Sequence, residues 1–375
     1  MAENKSAKEP LVHLSKRSTI HPVRAWTIRL AAIVLGFLVC GAMAFLLIDK
    51  IREDPSRIGD FYYSFIRGSF STTRKLWKYF KNLSILLCVS LAVTPAFRMR
   101  FWNIGAEGQT LVGVLGAIAV DFYLGGQIPE PVLIVLMILV AVLCGILWGV
   151  IPALFKAKWN TNETLFTLMM NYIATYLVSY FLIIWVPSGS STLNKMKFGN
   201  MPKLLGNDYG IVVVVAMVLT AVMFIYLNYT KPGYEINVVG ESVRTAQYIG
   251  IPVKKVIIRT MILSGALCGL TGYLIAGIDL TVTTDSVAGQ GFTAIMVSWL
   301  AKFNPIMMIL TSALITMLNQ GAGQISQDFT ISGDFPNVVV GLVLLFIIGC
   351  EFFLNYKIHF RGSKAKESAS MEGVK

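Results

Sequence analysis

A short polar string interrupts one of the apolar regions of this sequence. Asn103-Ile104-Gly105-Ala106-Glu107-Gly108-Gln109 separates the apolar stretches Leu83–Phe97 and Thr110–Leu124. An ionisable group at membrane depth is costly unless it meets water or a partner, and non-helical backbone is tolerated there only inside protein or beside an aqueous cavity. Asn103, Glu107 and Gln109 are therefore candidates to line a solute route. Alternatively, Glu107 caps free backbone amides at the start of Thr110–Leu124; the two roles are not exclusive.

A second polar interruption, Asp285–Gly291, lies in the later part of the chain. Gln290 and Phe292 occupy positions near this break that are comparable to those of the first polar string, and Pro305 ends one segment and starts the next. We interpret Gln290 and Phe292 as further candidates for the substrate pathway.

The sequence contains no metal-ligand cluster and no phosphate-binding loop. The dipeptide Gly-Lys does not occur, so a phosphate-binding loop of the G-x-x-x-x-G-K-[ST] type is excluded. The histidines lie in the terminal segments, and no cysteine stands at metal-ligand spacing from another. We therefore predict a non-catalytic chain without cofactor or metal, in which any use of ATP requires another subunit.

The composition is that of a polytopic membrane protein. Apolar residues make up 55% of the chain and charged residues 14%, whereas soluble domains carry about 25% charged residues. The formal charge of +12 comes mostly from short loops and tails between apolar blocks, so we do not expect nucleic acid as a partner. Ten apolar segments are predicted to span the membrane, three or four of them short: Ala31–Ile48, Leu83–Phe97, Thr110–Leu124, Val132–Phe155, Thr164–Val186, Tyr209–Leu227, Thr260–Ile278, Gln290–Ala301, Ile306–Asn319 and Asn337–Asn355.

The distribution of Lys and Arg predicts that both termini are cytoplasmic. With residues 1–27 as a cytoplasmic tail, the basic loops fall inside, and residues 187–208 lie outside with three Lys or Arg. The segment Asp49–Asn82 disagrees, because it would be external yet holds eight Lys or Arg against four acids. We interpret its Arg74–Lys81 stretch as an amphipathic helix at the membrane interface.

Two parts of the chain have similar lengths and similar patterns. Residues 83–186 and 260–356 each hold four predicted spans with a polar interruption after the first, and these first spans run in opposite directions. This pattern is typical of inverted repeats whose broken helices meet near the membrane midplane. We predict an all-α fold with one transmembrane domain, residues 28–375, containing both repeats.

The cytoplasmic loop of residues 229–255 is the longest polar connection between central spans. Its Glu241–Gly250 stretch is predicted to form a short helix that a glycine ends. Such a helix is either a solvated connection or a handle through which a separate motor pushes on the spans. The residues assigned to motor coupling are Glu241, Arg244, Tyr248 and Gly250.

Four strings along the chain resemble one family. Phe101–Gln109 resembles the "FNIGAEGQ" string of bacterial ABC importer permeases of the ribose/branched-chain amino acid class, in particular their simple-sugar and nucleoside (guanosine-type) branch. Asn162–Ala174 is similar to that branch's "NEVISTLMLNYIA", which adds Asn171 to the pathway candidates. Gly240–Ile251 resembles its cytoplasmic loop, and Gly289–Pro305 resembles its "GYGFxGIAVALLGxxNP" stretch. Residues 49–82 match poorly, and Ser298-Trp299 and Lys302-Phe303 depart from the pattern.

The resemblance implies a nucleoside permease of the bacterial cytoplasmic membrane, working by alternating access. It implies three partners: a second homologous permease, an ATPase with two nucleotide-binding halves, and an extracytoplasmic substrate-binding lipoprotein. Three alternatives stay open. They are a simple-sugar permease, a secondary transporter with Glu107, Asp279 or Asp285 as coupling sites, and a membrane-embedded enzyme, which the absence of a ligand cluster disfavours.

Overall fold

The computed structural model of the chain describes residues 12–16, 22–186, 192–204, 206–331 and 335–360. Two strands, β1 (Val12–Lys16) and β2 (Tyr356–Phe360), pair antiparallel with Val12 opposite Phe360. The helices in chain order are α1 (Pro22–Leu47), α2 (Asp49–Glu53), α3 (Ile58–Phe70), α4 (Thr73–Arg98), α5 (Ala106–Leu124), α6 (Glu130–Trp159), α7 (Glu163–Trp185), α8 (Gly210–Tyr229), α9 (Lys231–Glu241), α10 (Val243–Tyr248), α11 (Val253–Asp279), α12 (Gln290–Leu300), α13 (Pro305–Phe329) and α14 (Phe335–Asn355).

The helical fold predicted from the sequence is confirmed, apart from the short strand pair that the sequence did not predict. Each of the ten predicted apolar segments falls within one helix, to within one residue at its ends. Six of the described helices are long and apolar enough to cross a membrane, namely α4, α6, α7, α8, α11 and α13. Ten membrane crossings and an inverted repeat therefore remain predictions.

By its contacts the chain divides into two compact units, Ser69–Met317 and a unit formed by Met1–Gly68 together with Leu318–Lys375. In the Ser69–Met317 unit, α4 is the central helix, because every residue from Ser84 to Phe97 is buried. Its apolar residues face all directions, as expected for a helix enclosed by other helices. The hydroxyls of Ser90 and Thr94 donate to the carbonyl oxygens four residues earlier, which satisfies them inside the helix.

Glycines allow α5, α6 and α11 to cross at backbone contact. A Cβ atom placed on Gly269 of α11 would collide with the carbonyl oxygen of Ala141 and lie 2.9 Å from Cα of Val142, both on α6. A Cβ atom on Gly113 of α5 would lie 2.9 Å from Cα of Gly269. Small residues at helix crossings let the backbones approach closely, which favours van der Waals packing in a membrane. The three helices therefore pack against one another at backbone contact.

The stretch Arg74–Lys81 is helical, as predicted, but it is part of a longer helix, and its placement at the membrane interface remains a prediction. It forms the first turns of α4, which continues without a break to Arg98. The Nζ atom of Lys81 lies 2.6 Å from Oδ1 of Asp279 at the last residue of α11. This ion pair neutralises one of the basic residues of Asp49–Asn82, the segment whose positive charge disagreed with its predicted external location.

In the other unit, α3 packs closely on the C-terminal half of α13. A Cβ atom on Gly321 would lie 2.6 Å from the ring of Phe65, and one on Gly68 would lie 2.7 Å from the carbonyl oxygen of Gln320. The hydroxyl of Ser64 donates to Oδ2 of Asp328 over 2.8 Å. These contacts give the polar segment after α1 an ordered helical structure that its composition did not predict.

We predict that Gly269→Ala destabilises the protein by about 1–3 kcal/mol, because the added methyl group overpacks a backbone contact. Thermal unfolding of the purified chain in detergent measures the change. Gly323→Ala is the matched control, since a Cβ atom there meets nothing within 4 Å. Equal melting temperatures for the two variants would contradict the close crossing.

Candidate functional site

The connection between α4 and α5 is held by buried amide side chains. Oδ1 of Asn103 accepts hydrogen bonds from the backbone N–H of Gly105 at 3.1 Å and from Nε2 of Gln109 at 3.2 Å. Its Nδ2 donates to the hydroxyl of Ser264 on α11 at 3.1 Å. Asn103 and Gln109 are 0% and 1% exposed. Both side chains therefore position the connection, and their proposed contact with solute remains a prediction.

Side chains of α7 bind the same connection from the other side. Nδ2 of Asn171 donates to the carbonyl oxygen of Ile104 at 3.0 Å, and its Oδ1 accepts from the N–H of Gly108 at 2.9 Å. The Thr167 hydroxyl accepts from the N–H of Ile104 at 3.2 Å. Gly108 is required at this crossing, because a Cβ atom there would lie 2.8 Å from Oδ1 of Asn171. Asn171 thus forms hydrogen bonds with Ile104, which precedes α5, and with Gly108 in the first turn of α5.

The carboxylate of Glu107 crosses to the second polar interruption. Its Oε1 accepts from the N–H of Gly289 at 2.9 Å, and its Oε2 accepts from the N–H of Gly291 at 2.7 Å. These amides belong to the start of α12, whose N-cap residue Gly289 has no side chain to supply an acceptor. A carboxylate at a helix N-terminus is stabilised by the free N–H groups and by the helix dipole.

Glu107 therefore caps a helix, as considered from the sequence, but it caps a different helix from the one expected. Glu107 was expected to cap the start of Thr110–Leu124, whereas α5 begins earlier, at Ala106, and Glu107 itself lies in its first turn. The helix that it caps is α12, 182 positions further along the chain. One carboxylate thus connects the two breaks that the sequence placed at matching positions.

Gln290 and Phe292 lie beside this bridge in different environments. Oε1 of Gln290 is buried and has no hydrogen-bond partner among the described residues. Phe292 is half-exposed on the same face of α12 as Met296 and Trp299. The ring of Trp299 lies 5.5 Å from that of Trp102 in the first connection. Phe292 therefore lies on an exposed face of α12 that also carries Trp299, and its contact with solute remains a prediction.

The departures from the family pattern have partners in the structure. The hydroxyl of Ser298 donates to the carbonyl oxygen of Ser90 on α4 at 2.9 Å. The ring of Phe303 stacks on Phe97 with centroids 6.4 Å apart, and its carbonyl oxygen accepts from Nη2 of Arg98 at 2.8 Å. These contacts were not predicted from the sequence, and neither were the hydrogen bonds of Thr167 and Ser264 to the first connection. Thr167 lies inside one of the strings that carried the resemblance.

The predicted short helix is present as α10 (Val243–Tyr248), which ends before Gly250, whereas Glu241 belongs to the end of α9. Helix α9 ends at Glu241, Ser242 is extended with φ −156°, and its hydroxyl accepts from the N–H of Thr245 to cap α10. Gly250 follows with φ +84°, a conformation that glycine adopts without strain. The break was missed because serine is also tolerated inside helices.

The four residues assigned to coupling lie on the surface around α10. Glu241, Arg244 and Gly250 are exposed, and Tyr248 is 92% exposed. Val243 and Ile249 beside them are about half-exposed apolar side chains. These exposed side chains are available to contact a partner protein, and their role in coupling remains a prediction.

The inner sides of α9 and α10 are anchored on the membrane helices. Ile236, Val239 and Ala246 are buried in one apolar cluster with Met99 and Phe101, which follow α4, and with Val256 at the start of α11. A Cβ atom on Gly240 would collide with the carbonyl oxygen of Arg98. Displacement of α9 and α10 would therefore act directly on the residues that lead into the Asn103–Gln109 connection.

A cavity of about 520 Å³ lies between α9–α10 and the ends of α6 and α7. Lys156 and Glu163 form an ion pair of 2.8 Å in its wall. Among the described residues no group of three His, Cys, Asp or Glu side chains is arranged to hold a metal ion. The site thus has two features. The Glu107 carboxylate joins the break before α5 to the break before α12, and the buried sides of α9 and α10 anchor an exposed surface.

We predict that Glu107→Ala destabilises the chain by about 1–3 kcal/mol, because two amide donors at the start of α12 lose their acceptors. Glu107→Gln keeps one acceptor oxygen, so its effect is smaller. Thermal unfolding in detergent measures both. Glu130→Ala, at an exposed acid in the first turn of α6, is the matched control, and a Glu107→Ala variant as stable as this control would contradict the bridge.

Comparison with known proteins gives the family. The family model described as "Branched-chain amino acid transport system / permease component" matches residues 78–348. The guanosine ABC transporter permease protein NupP of Bacillus subtilis is 27% identical, over 91% of this chain and 97% of the relative. The glucose ABC transporter permease protein TsgB13 of Haloferax volcanii is 27% identical, over 90% and 92%, and the nucleoside ABC transporter permease protein NupB of Lactococcus lactis is 26% identical, over 92% and 97%. The chain belongs to the branched-chain amino acid transport permease family, whose membrane-spanning character agrees with its apolar helices.

Proposed function

We propose that this chain is the permease subunit of an ABC importer that carries nucleosides, foremost a purine nucleoside, across a bacterial cytoplasmic membrane. Near full-length similarity to a guanosine permease carries the proposal. A nucleoside permease of Lactococcus lactis supports it over a similar share of both chains. The solute would pass between the two breaks by alternating access.

The permease makes and breaks no covalent bond in this proposal. ATP is hydrolysed by a separate ATPase with two nucleotide-binding halves, in keeping with the absence of a Gly-Lys dipeptide here. A second homologous permease and an extracytoplasmic substrate-binding lipoprotein complete the importer. Both termini of this chain would be cytoplasmic, on the side of α9 and α10.

A conformational change of the ATPase would be transmitted to the solute route through a chain of contacts that starts at α10. The exposed surface of α10 receives the ATPase, and the buried side of α9 transmits its displacement to Met99 and Phe101. The following connection carries Asn103 and Glu107, and Glu107 bonds the start of α12. In this mechanism the two breaks move together, because a carboxylate joins them.

Glucose is the second candidate solute, favoured by the similarity to the Haloferax volcanii glucose permease. An ion-gradient-driven transporter is a weaker alternative, because a secondary transporter needs no docking surface for a motor. Uptake measurements separate the three alternatives.

We predict that the tagged chain, extracted in mild detergent, co-purifies with an ATPase carrying two phosphate-binding loops and with a second permease. Mass spectrometry identifies these partners. Cells that contain the complete importer should accumulate labelled guanosine, and excess unlabelled nucleoside but not glucose should compete. Accumulation of glucose alone would show that glucose and not a nucleoside is the solute. Uptake that does not depend on ATP and is lost when the ion gradient is removed would refute the ABC mechanism.

A second prediction concerns the coupling surface. Arg244→Glu, or deletion of Glu241–Gly250, should reduce uptake to background while the amount of chain in the membrane stays unchanged, because the ATPase no longer binds productively. Lys231→Glu reverses an exposed charge at the far end of α9 and serves as the control. Normal uptake in both test variants would exclude α10 as the coupling element.

A further inference from the structure

A cavity of about 650 Å³ lies at the C-terminal end of α5, at the opposite end of this helix from the first break. We name it the α5–α7 cavity. It is formed mainly by Asp121 and Phe122 of α5, Trp185 of α7 and residues 193–198 of the connection before α8. Sites for small molecules have volumes of about 300–1,000 Å³. The connection is predicted to be external, so the cavity would face the side from which an importer takes its solute.

The connection that closes one side of the cavity is held in place by hydrogen bonds. The N–H of Met196 donates to the carbonyl oxygen of Leu280 at 2.8 Å, just beyond α11. The hydroxyl of Thr281 donates to the carbonyl oxygen of Leu193 at 2.6 Å. Gly199 follows with φ +69°, and a Cβ atom there would lie 3.2 Å from Cγ of Asp121. The described part of the connection is therefore fixed against the ends of α5 and α11.

Asp121 is a buried acid for which the structure shows no donor. Its side chain is 0% exposed, and neither carboxylate oxygen has a hydrogen-bond partner among the described residues. It lies in the last turn of α5, where the helix dipole opposes a negative charge. Burial of a carboxylate is costly unless hydrogen-bond donors replace the lost water. The two oxygens are therefore free to accept hydrogen bonds from a molecule bound in the cavity.

Aromatic rings surround this carboxylate in the same cavity. The ring of Phe122 stacks on that of Trp185, with centroids 5.0 Å apart and an angle of 21° between the planes. Phe198 is 44% exposed and covers the turn after α5, where a Cβ atom on Gly126 would lie 2.9 Å from its ring. Aromatic side chains stack on the faces of nucleobases. The cavity thus combines a paired acceptor with surfaces that suit a flat aromatic ligand.

The edge of guanine carries the groups that complement this cavity. Its N1–H and 2-amino group are adjacent donors, which match the two oxygens of one carboxylate. Its O6 is an acceptor beside them, and Asn194, Lys195 and Lys197 supply donors in the same cavity. Adenine has an acceptor at N1 and no 2-amino group, so it cannot pair with a carboxylate in this way.

We propose that the α5–α7 cavity is a guanine-selective nucleoside site, in which the carboxylate of Asp121 accepts the N1–H and the 2-amino group of the base. The inference rests on the proposed nucleoside transport and deepens it, because it names the preferred base and the residue that selects it. The site lies outside the two breaks, so selection would precede passage between them. Asp121 belongs to none of the strings that the sequence singled out.

Equilibrium binding of radiolabelled guanosine to the purified full chain in lipid nanodiscs tests the site. Unlabelled guanosine should compete best, and inosine, which keeps N1–H but lacks the 2-amino group, should compete less well. Adenosine should compete at least about tenfold more weakly than guanosine, because a site built for N–H donors rejects a ligand without them. Equal competition by adenosine, or no binding of guanosine, would overturn the proposal.

The substitution Asp121→Asn separates base recognition from structural damage. An amide offers one acceptor and one donor, which match the N1–H and the 2-oxo group of xanthosine. We expect guanosine affinity to fall at least about tenfold and xanthosine affinity to rise at least about tenfold. Glu130→Gln, at an exposed acid in the first turn of α6, is the control and should change neither affinity. Unchanged guanosine affinity in Asp121→Asn, or its loss without a gain for xanthosine, would overturn the role of Asp121.

Uptake by cells that contain the complete importer separates this proposal from the proposed function. Guanosine uptake together with a purified chain that binds no guanosine would overturn the site and retain nucleoside transport. Uptake of glucose alone, together with guanosine binding that Asp121→Asn redirects to xanthosine, would retain the site and refute nucleoside transport.

Discussion

The carboxylate of Glu107 is the interaction on which the arrangement of the two breaks depends. It leaves the first turn of α5 and accepts the N–H groups of Gly289 and Gly291 at the start of α12. Glycine is required at position 291, because a Cβ atom there would lie 2.7 Å from Cα of Glu107. A buried carboxylate in a membrane protein is stabilised when fixed hydrogen-bond donors replace the water that it loses on burial. Here the donors belong to the second of the two predicted repeats.

The surrounding contacts hold the connection that carries Glu107. Asn171 and Thr167 of α7 hold the backbone before α5, Ser264 of α11 receives a hydrogen bond from Asn103, and the glycine crossings hold α5, α6 and α11 at short separation. In the proposed mechanism, this bridge would pass a displacement of α9 and α10 to both breaks through a single connection.

The sequence predicted the apolar helices well, because bilayer-length apolar runs leave little choice of structure. It also identified Glu107, since an acid between two spans is rare. It could not supply the partner of Glu107, because the donors are backbone amides of Gly289 and Gly291, and amides carry no sequence signal. The ion pair of Lys81 with Asp279 likewise could not be predicted, because the two residues lie 198 positions apart in the chain. The break at Ser242 and the pairing of β1 with β2 were missed for the same reason: local composition permits them but does not specify them.

Amide hydrogen exchange across residues 285–292 tests the central interaction most directly, with the purified chain in lipid nanodiscs. If the Glu107 carboxylate holds the amides of Gly289 and Gly291, these amides exchange slowly in the wild type. They should then exchange at least about tenfold faster in Glu107→Ala, while peptides from α6 and α8 remain unchanged. Equal exchange at residues 289–291 in both proteins would contradict the bridge and leave the two breaks without a physical link.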